Sequence, residues 1–253
     1  MRRPWLLMLL ALGCSRATAA DAGPAGDGAI EAGNGSKDAA AEDVAASPEP
    51  LRMELVDVPG DYRVLALRGP HSRRLAMVYL HGRCVFPGYY VDSFIKTAAE
   101  RGDLVALQGD VSCGGDFVNE WSLDIAKLDR RIDEAFARAN VVSREIVLIG
   151  YSQGADRAEA LVARYPHKYK AVILIASSSP PSPVRLKTVR AAALMAGTRD
   201  IQTNMQAGLV ALKAARIEAT FIPLPDAWHG HMGSEPEVSM KRALDFVDPP
   251  ETR

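Results

Sequence analysis

The chain has 253 residues, of which 48% are hydrophobic and 24% charged, and a formal net charge of −1. Such a composition excludes a wholly disordered chain, a collagen-like fibre and a polytopic membrane protein. Near-neutrality also removes the electrostatic case for nucleic-acid binding, which rests on a basic surface. The charge is unevenly spread: residues 1–14 carry +2 from Arg2 and Arg3, residues 15–50 carry −5 from seven carboxylates against Arg16 and Lys37, and the remaining 203 residues sum to +2.

At the N-terminus, Arg2 and Arg3 precede an apolar run from Trp5 to Leu12, followed by Gly13 and Cys14. A basic start, a short apolar run and a small residue before the cut describe a secretory signal. The run is far short of the roughly 20 residues that span a bilayer. The stretch Leu10-Ala-Leu-Gly-Cys14 resembles a bacterial lipoprotein box, although Ala11 stands where leucine is commonest. That resemblance implies a signal peptide over 1–13 and a lipid on Cys14 that anchors the exported protein to a membrane. Ser15 is a residue other than Asp, which by resemblance to Gram-negative sorting implies transfer to the outer membrane. A plain cleaved signal with an incidental Cys14 is the alternative.

Residues 15–50 are rich in Ala, Gly, Asp and Glu and contain no aromatic side chain. Such a segment buries too little apolar surface to offset its ordering entropy. Glycines at 23, 26, 28, 33 and 35, with Pro24, break an Ala-rich helix. The segment 14–50 therefore reads as a lipidated cysteine followed by a disordered tether, ahead of one folded domain over 51–253.

From residue 51 the periodicity changes. Strand-like runs fall at Met53–Val58, Arg63–Leu67, Leu75–Leu80, Leu104–Leu107, Ile146–Ile149, Ala171–Ala176, Ala191–Ala196 and Ala219–Pro223. The first two alternate and flank Pro59-Gly60-Asp61, which predicts an antiparallel pair. The later runs are nearly continuous, as expected of strands covered on both faces. Between them, Asp124–Ala139 sets Ile125, Leu128, Ile132, Phe136 and Ala139 at helical spacing. Ser93–Arg101, stopped by Gly102, and the stretches Ala155–Arg164, Thr203–Ala215 and Glu237–Phe246 are further predicted helices. Alternating strand and helix predicts a three-layer α/β sandwich on a mostly parallel eight-stranded sheet with an antiparallel edge.

The chemistry sits where strands end. After Ile146–Ile149 comes Gly150-Tyr151-Ser152-Gln153-Gly154, then a predicted helix. A short glycine–serine pattern recurs by chance, but the strand–turn–helix setting gives it meaning: the turn is tight, and the flanking glycines let the serine project above the sheet. A serine hydroxyl needs a base, and the base an orienting acid. Of the five histidines, His229 and His231 lie in the loop after the last strand, and His229 is favoured as nearer that strand. No Asp or Glu falls between Ala171 and Arg199, so Asp200 is the favoured acid, with a helix N-cap as its bland reading and Asp226 as the alternative. Two backbone N–H groups should meet the transition-state oxyanion. One is that of Gln153, after the serine; the other is assigned to Arg83, beside Gly82 in the loop after Leu75–Leu80. His81 reads as a loop-shaping residue.

Order and spacing together resemble the α/β-hydrolase superfamily over residues 53–247: His81-Gly82 after the third run, the elbow after the fifth, Asp200 after the seventh and His229 after the eighth. The likeness is greatest to small dienelactone hydrolases and carboxylesterases. It implies a serine hydrolase acting on carboxylic esters through a Ser152 acyl-enzyme, with neither metal nor organic cofactor. Many members insert a cap domain after the sixth strand; here only Ser177–Arg190, stiffened by Pro180, Pro181 and Pro183, separates the sixth run from the seventh, so no cap fits. Phe86, Tyr89, Tyr90, Phe117, Trp121 and Trp228 either wall the open site or pack in the core. With Cys14 lipidated, Cys84 and Cys113 remain, and export makes a disulfide between them reasonable, two free thiols being the alternative. Two other functions stay open: a non-catalytic binding lipoprotein on a hydrolase scaffold, and a peptidase or polysaccharide esterase of the same fold. Oligomeric state is not legible.

Overall fold

A computed structural model describes residues 51–69, 75–115, 117–142 and 145–250. The expected signal peptide (1–13), Cys14 and the tether to residue 50 lie outside the described residues.

In chain order the strands are β1 (Glu54–Val56), β2 (Val64–Leu67), β3 (Leu75–Leu80), β4 (Gly102–Leu107), β5 (Val111–Gly115), β6 (Val118–Glu120), β7 (Glu145–Tyr151), β8 (Tyr169–Ile175), β9 (Ala191–Gly197) and β10 (Ala219–Leu224). The helices are α1 (Gly88–Val91), α2 (Ile95–Arg101), α3 (Ile125–Arg138), α4 (Gln153–Arg164), α5 (Pro183–Leu186), α6 (Thr203–Ala214) and α7 (Pro236–Val247). Eight strands form one sheet in the order β1-β2-β4-β3-β7-β8-β9-β10. β2 runs antiparallel to both β1 and β4, and the pairs from β4 to β10 are parallel.

The continuous apolar runs are explained by burial on both faces. Alternate residues of β7 point to opposite cores: Ile146 and Leu148 pack with Leu128 and Ile132 of α3 and Leu161 of α4, whereas Val147 and Ile149 pack with Ala98 of α2 and Met240 and Leu244 of α7. Each buried leucine or isoleucine contributes roughly 1.5–3 kcal/mol. The α3 face is the expected one, and Asp124 starts the helix by accepting the Lys127 N–H at 2.9 Å. Gly102 follows α2 as expected, but it opens β4 in extended backbone rather than capping the helix in a left-handed turn. A side chain there would lie 2.1 Å from the Leu75 carbonyl oxygen.

Two features were absent from the sequence reading. One is the β5–β6 hairpin, whose residues carry no predicted strand, and the other is the pair of four-residue helices α1 and α5. α5 is the whole helical content between β8 and β9, so no cap domain is inserted there.

Glu159 of α4 is 2% exposed and accepts the Ser182 N–H at 2.9 Å. Burial pushes its carboxyl up to about 7 from an ordinary value of 4.5. The folded chain therefore keeps this proton over a range in which the unfolded chain has lost it. The stability it contributes is fully present below pH 4.5 and is lost as pH rises to about 7. Glu159→Gln retains an acceptor for Ser182 and removes the charge. Thermal melts should show the variant more stable by about 2–3 kcal/mol at about pH 8 and nearly equal to wild type at about pH 5. An equal difference at both pH values would mean that the native carboxyl ionises freely.

Candidate active site

The sheet order reverses between β3 and β7, the place where α/β sheets open a crevice at their C-terminal ends. Leu80 pairs with Gly150, so the loop after β3 and the turn after β7 leave the sheet side by side. In that turn Ser152 has φ 51° and ψ −116°, an unfavourable conformation for a residue with a side chain, and its N–H is held by the Ile175 carbonyl at 2.8 Å. The flanking glycines are required by space. A Cβ at Gly150 would lie 2.5 Å from the Gly154 carbonyl oxygen, and one at Gly154 would lie 2.0 Å from that of Leu80.

Ser152 Oγ lies 3.2 Å from His229 Nε2, and His229 Nδ1 lies 3.1 Å from Asp200 Oδ2. Three loops, after β7, β9 and β10, bring these groups together. The Asp200 side chain is only 9% exposed, and its other oxygen accepts the Ile201 N–H at 2.7 Å, while the His229 side chain is 55% exposed. Helix α6 takes Gln202 as its N-cap, so Asp200 is not a cap. The alternatives have other partners. Asp226 pairs with Arg199 at 2.7 Å and accepts from Ser234, and His231 stacks on Trp228 and accepts the Gly233 N–H.

A chain of contacts supports the proposed oxyanion loop. A Cβ on Gly82 would lie 3.5 Å from that of Ser152, which places Arg83, the next residue, beside the serine. Gln153 opens α4, so its N–H has no carbonyl within the helix to bond. Beneath them His81 is fully buried. Its Nε2 accepts the Gly109 N–H at 2.8 Å, so the ring proton sits on Nδ1 and is donated to the Gly82 carbonyl at 2.6 Å. Burial lowers the His81 pKa to about 4, with Arg131 adding to the effect, which keeps the ring neutral. Stability from this neutral ring is present above 6.5 and is lost as pH falls toward 4. His81 thus shapes the loop, as expected. Trp121 completes the support, donating its N–H to Gln153 Oε1 at 3.0 Å and its Nε1–H to the His81 carbonyl at 2.7 Å.

Cys84 and Cys113 form a disulfide that ties this loop to the β5–β6 hairpin. The Arg83–Glu120 ion pair at 2.7 Å and a bridge between Val85 and Asn119 reinforce the tie. Cys84, Cys113 and Glu120 also lie close enough together to hold a metal ion, but the bonded sulfurs offer no thiolate. Reduction, or Cys84→Ser, should cost about 3–4 kcal/mol through the freed loop and lower turnover as the loop slackens. Calorimetry with and without reductant measures this, and an unchanged melting temperature would overturn it.

Of the six aromatic candidates, Tyr90 and Trp121 are buried in packing, while Phe86, Phe117 and Trp228 on loops and Tyr89 on α1 are exposed at the C-terminal end of the sheet. Tyr151 is a supporting residue missed from sequence. It is buried, stacks on Tyr90 at 4.5 Å, and its hydroxyl accepts the Gly230 N–H at 2.5 Å, which anchors the loop carrying His229. Its position between two required elbow residues concealed any separate signal.

No protein-family model matches the chain, and no curated protein matches its sequence. Solved structures do. A CIB-like hydrolase from Thermoplasma acidophilum superposes with a TM-score of 0.59 at 18% identity, covering 78% of this chain and 98% of its own. Carboxylesterase CesB from Bacillus subtilis gives 0.59 at 12% identity, covering 80% and 93%. Esterase PE8 gives 0.58 at 18% identity, covering 78% and 100%. The chain has the α/β-hydrolase fold, with no cap domain among the described residues.

Proposed function

We propose that the protein is an exported serine hydrolase, anchored through a lipid on Cys14, that cleaves carboxylic esters. The observation that carries the reading is the hydrogen-bonded series Ser152 Oγ, His229 Nε2, His229 Nδ1 and Asp200 Oδ2, at 3.2 and 3.1 Å, on a strained elbow. The structurally similar carboxylesterase and esterase support esters as the substrate class.

In this mechanism Ser152 Oγ attacks the ester carbonyl carbon as His229 Nε2 takes its proton. Asp200 accepts from Nδ1–H, fixing the tautomer and stabilising the imidazolium. Negative charge on the former carbonyl oxygen is met by the N–H groups of Gln153 and Arg83. The tetrahedral intermediate collapses, His229 gives its proton to the departing alkoxide, and the acyl group stays on Ser152. Water enters past the exposed His229, loses a proton to it, and attacks the acyl carbon. Collapse releases the carboxylic acid and returns the proton to Ser152. In this reading the acidic segment 15–50 serves as the tether between a lipid in the outer membrane and the catalytic domain.

A panel of esters of graded acyl length tests this. With no cap to enclose a long chain, turnover should peak at short acyl groups. Turnover of none of them by folded wild-type protein would overturn the ester reading.

A further inference from the structure

A second concavity lies at the same end of the sheet as Ser152, on its β2 side. It is a cleft of about 780 Å³ between the β1–β2 turn and α3. The volume is that of a small-molecule site. β2 and β7 are three strands apart, about 14 Å at the usual spacing, so the cleft is separate from the catalytic serine.

Its polar groups are unequally satisfied. The carboxylates facing it are engaged. Asp110 accepts from the Ser122 N–H and hydroxyl at 2.8 Å and pairs with Lys127 at 2.9 Å. Asp61 accepts from the Tyr62 N–H at 2.7 Å and from Arg131 Nε at 2.5 Å, and Glu134 pairs with Arg138 at 2.8 Å. The donors are not all used. Arg130, also on the lining, is exposed and has no ion pair or hydrogen bond among the described residues. Arg131, 7% exposed, donates Nη2 to the Gln108 carbonyl, but its buried Nη1 has no partner among the described residues. The Gln108 side-chain amide, 2% exposed, likewise has neither atom paired among the described residues. Buried polar groups without partners are uncommon and costly. Among these charged groups the acceptors are taken while guanidinium donors remain, so the complementary ligand is rich in acceptors. Guanidinium groups favour carboxylate and phosphate for this reason. Tyr62, 44% exposed, and Pro59 add an apolar wall against which an organic body can lie.

We propose that this cleft is a second ligand site, which binds a small organic anion bearing a carboxylate or a phosphate monoester, with Arg130 meeting the anionic group and the body lying on Tyr62.

Titration calorimetry on the full chain carrying Ser152→Ala tests the site independently of catalysis. The probes are benzoate and phenyl phosphate, with benzylamine as the cationic control. Saturable binding of benzoate identifies the carboxylate source, and saturable binding of phenyl phosphate the phosphate source. Either supports the proposal if benzylamine does not bind, if Arg130→Gln weakens affinity by about tenfold at an unchanged melting temperature, and if Arg130→Lys restores part of it. Because Arg130 is exposed, its replacement keeps the test independent of any folding defect caused by altering Arg131. No saturable heat from either anion up to about 10 mM, or equal affinity in wild type and Arg130→Gln, would overturn it.

Discussion

Ser152→Ala is expected to lower ester turnover by about five to six orders of magnitude, the loss typical when the nucleophile of such a triad is removed. The residual rate would come from substrate binding and the oxyanion donors alone. A fluorophosphonate probe should label the folded wild type and leave Ser152→Ala unlabelled, because only an activated serine attacks its phosphorus. The substitution is conservative for the fold. Ser152 makes its structural contact through its backbone N–H to the Ile175 carbonyl, which alanine retains. Absence of labelling in folded wild type, or equal labelling of the variant, would remove the proposed nucleophile.

The second large effect separates the two aspartates. Asp200→Asn should lower kcat by about three to four orders of magnitude. An amide at that position can donate toward His229 Nδ1, favouring the tautomer whose Nε2 carries the proton and cannot act as the base. Asp226→Asn should change kcat only a few-fold, since that carboxylate is exposed and bound to Arg199 and Ser234. Equal losses from the two substitutions, or a larger one at Asp226, would reverse the assignment. The pair needs only steady-state kinetics, with melting temperatures to confirm folding.

Much of the fold is legible in the chain because continuous apolar runs and amphipathic spacing report burial directly. All eight strands of the main sheet fall on predicted runs, with ends shifted by a few residues. The exceptions are short or polar. β5 reads Val-Ser-Cys-Gly-Gly, with no apolar alternation, and its hairpin is held by a disulfide, an ion pair and a bridge to other loops. α1 and α5, at four residues each, are too short to show a helical period.

The site divides in the same way. The elbow is a local feature: Gly150 and Gly154 are needed because neighbouring backbone passes within 2.5 and 2.0 Å of where their side chains would be, and that need leaves a pattern in five consecutive residues. Candidates for the base and acid could also be narrowed from the chain by loop position and by the absence of carboxylates between Ala171 and Arg199. Local pattern thus carried the layered α/β architecture, the position of the candidate nucleophile and a short list of partners for it. It takes the packed fold to show that His229 rather than His231 faces Ser152, that Asp226 turns away to Arg199, and that Tyr151 anchors the histidine loop. That fold alone also revealed the cleft beside α3 with its unused guanidinium donors. The physical reason is range. Propensity and periodicity act over a few residues, whereas hydrogen bonds between residues 29 and 77 positions apart exist only once the sheet has ordered the loops that carry them.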